Sequence, residues 1–470
     1  MNPPPPTQPE RRREPPPDLS DDVLAEIFFR IPPDEPAVLV RLSAICKSWR
    51  RLLSDRIFLR RYHALHRAPP ILGFFCEEKS WAGSFSSFVS TTSFRPIIPD
   101  RGGGDRLIPC DSRHGRALFI TQPPLQLLVL DPITGMERPL CVPQLWTNIQ
   151  WSAAVLCAVD GCGHLDCHGR AFRVALVGTD NAAGTTHAAV YSSETYAWSD
   201  PTSIDHHPNA RVQARRPSVF VGNALYFLCG NNTRILEFDM TTMTLSVIPS
   251  PLLADPERVY GALLVTAEGS GLGFAAILER SNLHLWSKEE ATDQWKHLEH
   301  VRDLETLLPY TVDLYRMSNL LIGFADGGGV RVVVVRTHDG VFTVELGSTR
   351  RPKKVSRRSA ITAAFPYTSF CTPARIDQKQ GTMREEALTP PSTPTTLLSF
   401  ACCSSAPPGG ESLARFSFFL ATSSSSAANI SSSRCACSLA VASPGNCCFS
   451  SSVASSVATI SLTSCLDRAA

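Results

Sequence analysis

The period of the apolar residues changes once along this chain, near His66, and that change divides what it can fold into. Upstream, large apolar side chains recur at threes and fours, the spacing of one helix face. Val23, Leu24, Ile27, Phe28 and Ile31 form the first such run, with Asp21, Asp22 and Glu26 on the other side. The early aspartates suit the positive end of a helix. Pro32 and Pro33 stop it, because a proline has no N–H for the next hydrogen bond. Asp34 is placed to cap a second helix, and Pro36 is tolerated in its first turn. Leu39, Leu42, Ile45, Cys46, Trp49, Leu52 and Leu53 then repeat at helical spacing until Ser54-Asp55. Ile57, Phe58 and Leu59 open a third helix.

A helical unit of about 45 residues is at the lower edge of what folds alone. Each large apolar side chain left in water forgoes roughly 1.5–3 kcal/mol of burial. Helices this short cannot all turn every apolar residue inward. The surplus face is best explained by a partner surface that covers it.

The stretch resembles the F-box. Leu19 at the start, Ile27 and Ile31 on the first helix, and the run from Leu39 to Cys46-Lys47-Ser48-Trp49-Arg50 carry the resemblance, with Ser54-Asp55-Arg56-Ile57-Phe58 continuing it. The family usually has Pro where Ser20 stands and often Pro where Arg56 stands. The Pro-Pro-Asp-Glu-Pro insert is similar to the plant-type form of the motif. The resemblance implies docking on the Skp adaptor of a cullin-based ubiquitin ligase. It assigns that contact to Leu19, Ile27, Phe28, Ile31, Leu39, Leu42, Cys46 and Trp49. The bland alternative is a helical cap packed on its own downstream domain.

From residue 69 to about 370, helical periodicity gives way to short β-rich runs between Gly, Pro, Asp and Ser clusters, the pattern of an all-β domain. One sub-pattern recurs: a strand, a polar turn usually holding Thr, and a second strand. It opens at Leu127-Leu128-Val129-Leu130-Asp131, Ala189-Val190-Tyr191-Ser192, Ile235-Leu236-Glu237-Phe238-Asp239 and Leu283-His284-Leu285-Trp286-Ser287, and more faintly at Val341-Phe342-Thr343. Each copy has a further strand ahead of it, as in Gly222-Asn223-Ala224-Leu225-Tyr226. Steps of about 50 to 60 residues are propeller-blade lengths, and repetition around a ring leaves few open sheet edges. The domain is similar to the kelch-like β-propeller that follows the F-box in plant-type F-box proteins. Five or six blades are expected from its length, and a pair of β-sandwiches is the competing fold.

The ends differ from both regions. Residues 1–17 are Pro-rich around Arg11-Arg12-Arg13 and read as an extended, disordered leader. From 371 to 470 Ser, Ala, Pro and Thr dominate, and a disordered tail is expected. The fold expected of the whole is thus α+β and multidomain: a three-helix F-box over 18–66, a propeller over 69–370, and the tail. A net charge of +2 argues against broad attraction to nucleic acid or acidic membrane. No run of 18 apolar residues predicts a membrane span, and the first residues lack the apolar core of a signal peptide. A reducing cytosol or nucleus is therefore expected. Of the 16 cysteines, eight lie from Cys371 onward and the others have no framework spacing, so they do not oppose that expectation.

Catalytic signatures are weak. No nucleophile elbow or phosphate-binding loop is present, and Gly269-Ser270-Gly271-Leu272-Gly273 and Asp326-Gly327-Gly328-Gly329 read as turns before strands. Cys162-Gly163-His164-Leu165-Asp166-Cys167-His168 is rich in zinc-type donors but lacks the second knuckle that structural sites usually have, so a polar loop is the favoured reading. Arg350, Arg351, Lys353, Lys354, Arg357 and Arg358 form the densest basic run, read as a solvated loop with nuclear import as the alternative. The chain is expected to recruit a target protein without being an enzyme and without a cofactor. The runner-up is a propeller scaffold that serves no ligase.

Overall fold

The computed structural model describes residues 19–372, except 82, 100–105, 123–124, 148, 166, 168, 206–210, 253–258, 280, 290 and 309–319, together with residues 448–454 and 457–463. The Pro-rich leader and nearly all of the expected tail lie outside the described residues.

Helix α1 (Asp21–Phe29) starts where Ser20 Oγ accepts the Val23 N–H at 3.4 Å. Helix α2 (Pro36–Ser43) has Pro36 in its first turn, but its cap position is Glu35 rather than Asp34 and no side chain caps it. The run from Leu39 to Leu53 is not one helix. It breaks after α2, and Cys46 caps α3 (Lys47–Ser54), its Sγ accepting the Trp49 N–H at 3.5 Å. Asp55 caps α4 (Arg56–His66), with Oδ1 accepting from the Ile57 and Phe58 N–H groups at 2.8 and 3.0 Å. Four helices therefore stand where three were expected. The missed break falls at Ile45-Cys46, apolar residues that keep the helical phase and carry no polar punctuation. Arg56 is the first residue of α4, a position where the family's Pro is equally at home.

Leu24, Phe28, Phe29, Leu39, Leu53, Phe58 and Tyr62 form the helical core. Phe29 stacks on Phe58 at 4.8 Å, and Trp49 meets Phe28 edge-on at 5.2 Å. Such aromatic pairs add to the area they bury.

Strands follow from residue 71. Blade 1 begins with β1 (Ile71–Ser80) and β2 (Gly83–Ser90). Blade 2 holds β3 (Arg106–Arg113), β4 (Arg116–Gln122), β5 (Gln126–Leu130) and β6 (Glu137–Cys141). Blade 3 holds β7 (Gln150–Cys157), β8 (Phe172–Asp180), β9 (Thr185–Ser192) and β10 (Ala197–Trp198), with β11 (Thr202–Asp205) also on β9. Blade 4 holds β12 (Val219–Val221), β13 (Ala224–Cys229), β14 (Arg234–Asp239) and β15 (Thr244–Pro249). Blade 5 holds β16 (Gly261–Thr266), β17 (Leu272–Leu278), β18 (Asn282–Lys288) and β19 (Trp295–Asp303). Blade 6 holds β20 (Leu321–Gly327), β21 (Val330–Thr337), β22 (Gly340–Glu345) and β23 (Lys353–Ser356). The last strand, β24 (Ile361–Thr368), returns to pair antiparallel with β1, with Phe365 opposite Phe75. Blade 1 is thus assembled from both ends of the domain, and the ring has six blades.

Each sheet is buried on both faces, which rules out a pair of sandwiches. Leu176 on β8 faces blade 2, while Ala175 and Val177 face blade 4. Leu263 and Val265 on β16 face blade 6, and Ala262 and Leu264 face blade 4. Two-residue alternation sends successive side chains to opposite neighbours, and six apolar layers close the circle.

The expected polar turns join the third and fourth strands of blades 2 to 6. Asp131 Oδ1 accepts from the Ile133 and Thr134 N–H groups at 2.9 and 3.3 Å, and Asp239 Oδ1 from Thr241 and Thr242 at 2.7 and 3.0 Å. Four residues after each aspartate the backbone turns left-handed, at Gly135 and Met243. A turn followed by one such residue matches the twist of the flanking strands. The basic run is partly absorbed into the fold: Arg358 pairs with the buried Glu78 at 2.7 Å, and Lys354 lies over the Phe342 ring.

Residues 448–454 and 457–463 belong to a second unit, in which Cys448–Ala454 and Val457–Thr463 pair as antiparallel strands.

Candidate functional site

The helices leave an apolar stripe uncovered. Leu19, Val23 and Ile27, spaced four apart, are 54%, 46% and 47% exposed. Ile45 and Ile57 also stand in water. Residues assigned to adaptor docking therefore divide. Leu19, Ile27 and Cys46 are exposed, and Ile31, Leu42 and Trp49 are half-buried at the core's edge. Phe28 and Leu39 are each 2% exposed and lie inside the helical core, where they shape the unit and cannot touch a partner. Val23 and Ile57 carry exposed apolar surface beyond the eight residues assigned to docking. The signal for Val23 was spacing: it falls between Leu19 and Ile27 at four-residue steps.

The helical core is sealed against the propeller from below. Phe370, just past β24, stacks on His63 at 4.3 Å and meets Tyr62 edge-on. Leu165, in the loop between β7 and β8, packs on the same core. Ser93 Oγ accepts the Ala37 N–H at 3.4 Å. The stripe on α1 remains free of all these contacts.

Strand β24 crosses the ring, so its two ends mark opposite faces. Its last residues lead to Phe370 and the helices. Its second residue, Thr362, lines a cavity of about 600 Å³ with Glu77, Lys79, Arg215, Arg216 and Arg336. Arg215 Nη1 pairs with Glu77 at 3.1 Å. Arg216 donates to the Ala262 and Leu321 carbonyls at 2.9 and 3.1 Å, and burial pushes its guanidinium down to about 10, so it stays charged at neutral pH. The mouth is basic, with Glu77 the one carboxylate among the described residues that line it.

The Cys/His segment comes together as well. Cys162 Sγ lies 3.5 Å from Cys167 Sγ, which lies 3.5 Å from His164 Nδ1. Cys157, at the end of β7, joins them, and the four donor atoms all fall within 4.8 Å of one another. Asp166 and His168 lie outside the described residues. Cys157 was missed because it reads as the last residue of an apolar strand.

No helix among the described residues is long and apolar enough to cross a membrane. No curated protein matches the chain. Among solved structures it is similar to the Pseudomonas aeruginosa periplasmic gluconolactonase PpgL, at 16% identity over 61% of this chain and 76% of that one, with a TM-score of 0.33. It is also similar to a luciferin-regenerating enzyme, at 11% identity over 55% and 75% of the two chains and a TM-score of 0.31, and to the Dos1 propeller, at 8% identity over 61% and 69% and a TM-score of 0.33. Similarity this distant carries nothing about function. Two domain families match directly. Residues 16–61 match the F-box domain, and residues 110–310 match the family described as F-box protein AT5G49610-like, beta-propeller. The chain therefore carries an F-box domain followed by an F-box-type β-propeller domain, the pairing of an F-box substrate receptor.

Proposed function

We propose that this protein is the substrate-recognition subunit of a Skp–cullin–F-box ubiquitin ligase and not itself an enzyme. The F-box helices dock a Skp-type adaptor, and the propeller holds a target protein for ubiquitination by the other subunits. Holding two reactants together is the whole of its contribution to rate. The observation that carries this reading is the stripe of Leu19, Val23 and Ile27, left in water by a unit that buries its other apolar face. Ile31, Leu42, Cys46 and Trp49 border the docking surface, and Phe28 and Leu39 support it from inside. The basic mouth around Arg215, Arg216 and Arg336 is the part of the propeller suited to hold a target. Free cysteines such as Cys76, Cys110 and Cys229 fit a reducing cytosol or nucleus.

Capture of a purified Skp-type adaptor by the full chain tests the reading. Ile27→Asp should lower affinity at least 30-fold, the loss expected at an interface hot spot of about 2 kcal/mol. Lys79→Ala, on the far face, should leave it unchanged. No capture by the folded wild-type chain would defeat the proposal.

A further inference from the structure

We propose that Cys157, Cys162, His164 and Cys167 form a structural zinc site that fixes the β7–β8 loop beneath the F-box helices. Tetrahedral zinc, with Zn–S of about 2.3 Å and Zn–N of about 2.0–2.1 Å, places sulfur atoms about 3.8 Å apart and sulfur and nitrogen about 3.6 Å apart. The sulfur–sulfur and sulfur–nitrogen separations here are both 3.5 Å. The fourth donor, Cys157 Sγ, completes a cluster within 4.8 Å. It also supplies the second element that the loop alone lacks, because it sits on the rigid end of β7. Three thiols and one imidazole converging on a point select zinc over the hard, oxygen-seeking cations.

A disulfide accounts for the cluster less well. It would join two of the sulfurs at about 2.05 Å and give His164 and the remaining cysteine no role. The surroundings also favour a metal. Arg116, only 5% exposed, donates from Nη2 to the carbonyls of Cys167 and Arg170. A buried guanidinium fits beside a zinc centre of three thiolates and one imidazole, whose net charge is −1. His114 stacks on the His164 ring at 3.9 Å and accepts the Cys157 N–H through Nδ1 at 3.0 Å, so one side chain orients two ligands. His164 itself adopts a left-handed backbone, φ 54°, which residues with a Cβ avoid unless held there.

Four protein donors leave no open coordination position, so the site is structural rather than catalytic. Its place gives it a purpose. Leu165, between His164 and Cys167, packs on the helical core. Metal binding would hold that side chain in position and so brace the helices on the ring.

Elemental analysis of the full chain, purified with reductant and without added metal, tests the site. One zinc per chain is expected after gel filtration. Cobalt reconstitution should give the intense visible bands of tetrahedral thiolate coordination. Cys162→Ser should lose the zinc, while Cys141→Ser, outside the cluster, should keep it. His164→Cys should retain it, which separates ligation from misfolding should Cys162→Ser fold poorly. In the zinc-stripped chain, amide exchange should rise at least tenfold in residues 158–171 and in α4. A folded, reduced chain with less than a tenth of an equivalent of zinc and no cobalt bands would overturn the proposal. So would a Cys162–Cys167 disulfide in protein kept reduced.

Discussion

On β8 of the propeller, Leu176 turns toward blade 2 while Ala175 and Val177 turn toward blade 4, and none of the three meets solvent. On α1 of the F-box, Leu24 and Phe28 turn inward, but Val23 and Ile27, one residue before each, stand about half in water. A ring supplies every sheet with a neighbour on both faces, so an apolar residue on the inner strands is covered whichever way it points, and the exposed ones, such as Phe85 and Tyr196, lie on outer strands and turns. Four short helices around a single core have an inside and an outside, and what lies outside stays bare until something docks. Within one chain, the same residue types thus hold the propeller shut and leave the F-box open to a partner.

The comparison breaks most readily in the ring. Phe274, with no solvent exposure between blades 4 and 5, should cost about 3–5 kcal/mol when changed to alanine, from lost burial and the cavity left behind. Chemical denaturation measures it, and a cost under 1 kcal/mol would show that the blades are loosely packed. Leu53, equally buried in the helical core, should cost about 2–5 kcal/mol as Leu53→Ala, read by helical signal. Val23→Ser should change stability by no more than about 0.5 kcal/mol, as surface substitutions do. A loss like that of Leu53→Ala would mean that the stripe is covered after all.

The smallest effect is the turn carboxylate Asp239. Two backbone N–H groups hold its acid below the usual carboxylate range. A depressed folded pKa contributes stability above the unfolded value, about 3.9, that is lost as pH falls below it. The gap in melting temperature between the protein and Asp239→Ala should therefore be fullest above about pH 5 and close on acidification. A gap independent of pH would assign the effect to turn geometry rather than charge.

Much of the ring was legible because its signal is local. Asp131 and Asp239 punctuate strands that sit next to each other in sequence, so the third and fourth strands of blades 2 to 6 could be read directly. Blade 1 had no such signature. Its central pair joins Phe75 to Phe365, and nothing near either residue announces the other, so length alone set the expectation of five or six blades. In the helices, the break at Ile45-Cys46 was invisible to a reading based on apolar phase. Burial was equally out of reach: Phe28 and Ile27 are neighbours of similar character, and only packing decides that one is core and the other surface. Cys157 was hidden for a different reason, since as the last residue of the apolar strand β7 it reads as packing rather than as a donor.

The seam between β1 and β24 has a consequence for synthesis. The four helices are made once His66 has been added, but the circle cannot shut until Thr368 has joined it, and the helical core has no Phe370 until then. A product that stops early would keep the exposed stripe of α1, bear an unsealed strand edge prone to stray pairing, and lack the closed ring. If the proposed ligase function holds, such a fragment would occupy the adaptor without presenting a target, so truncations within the last blade should inhibit the intact protein rather than act as simple losses.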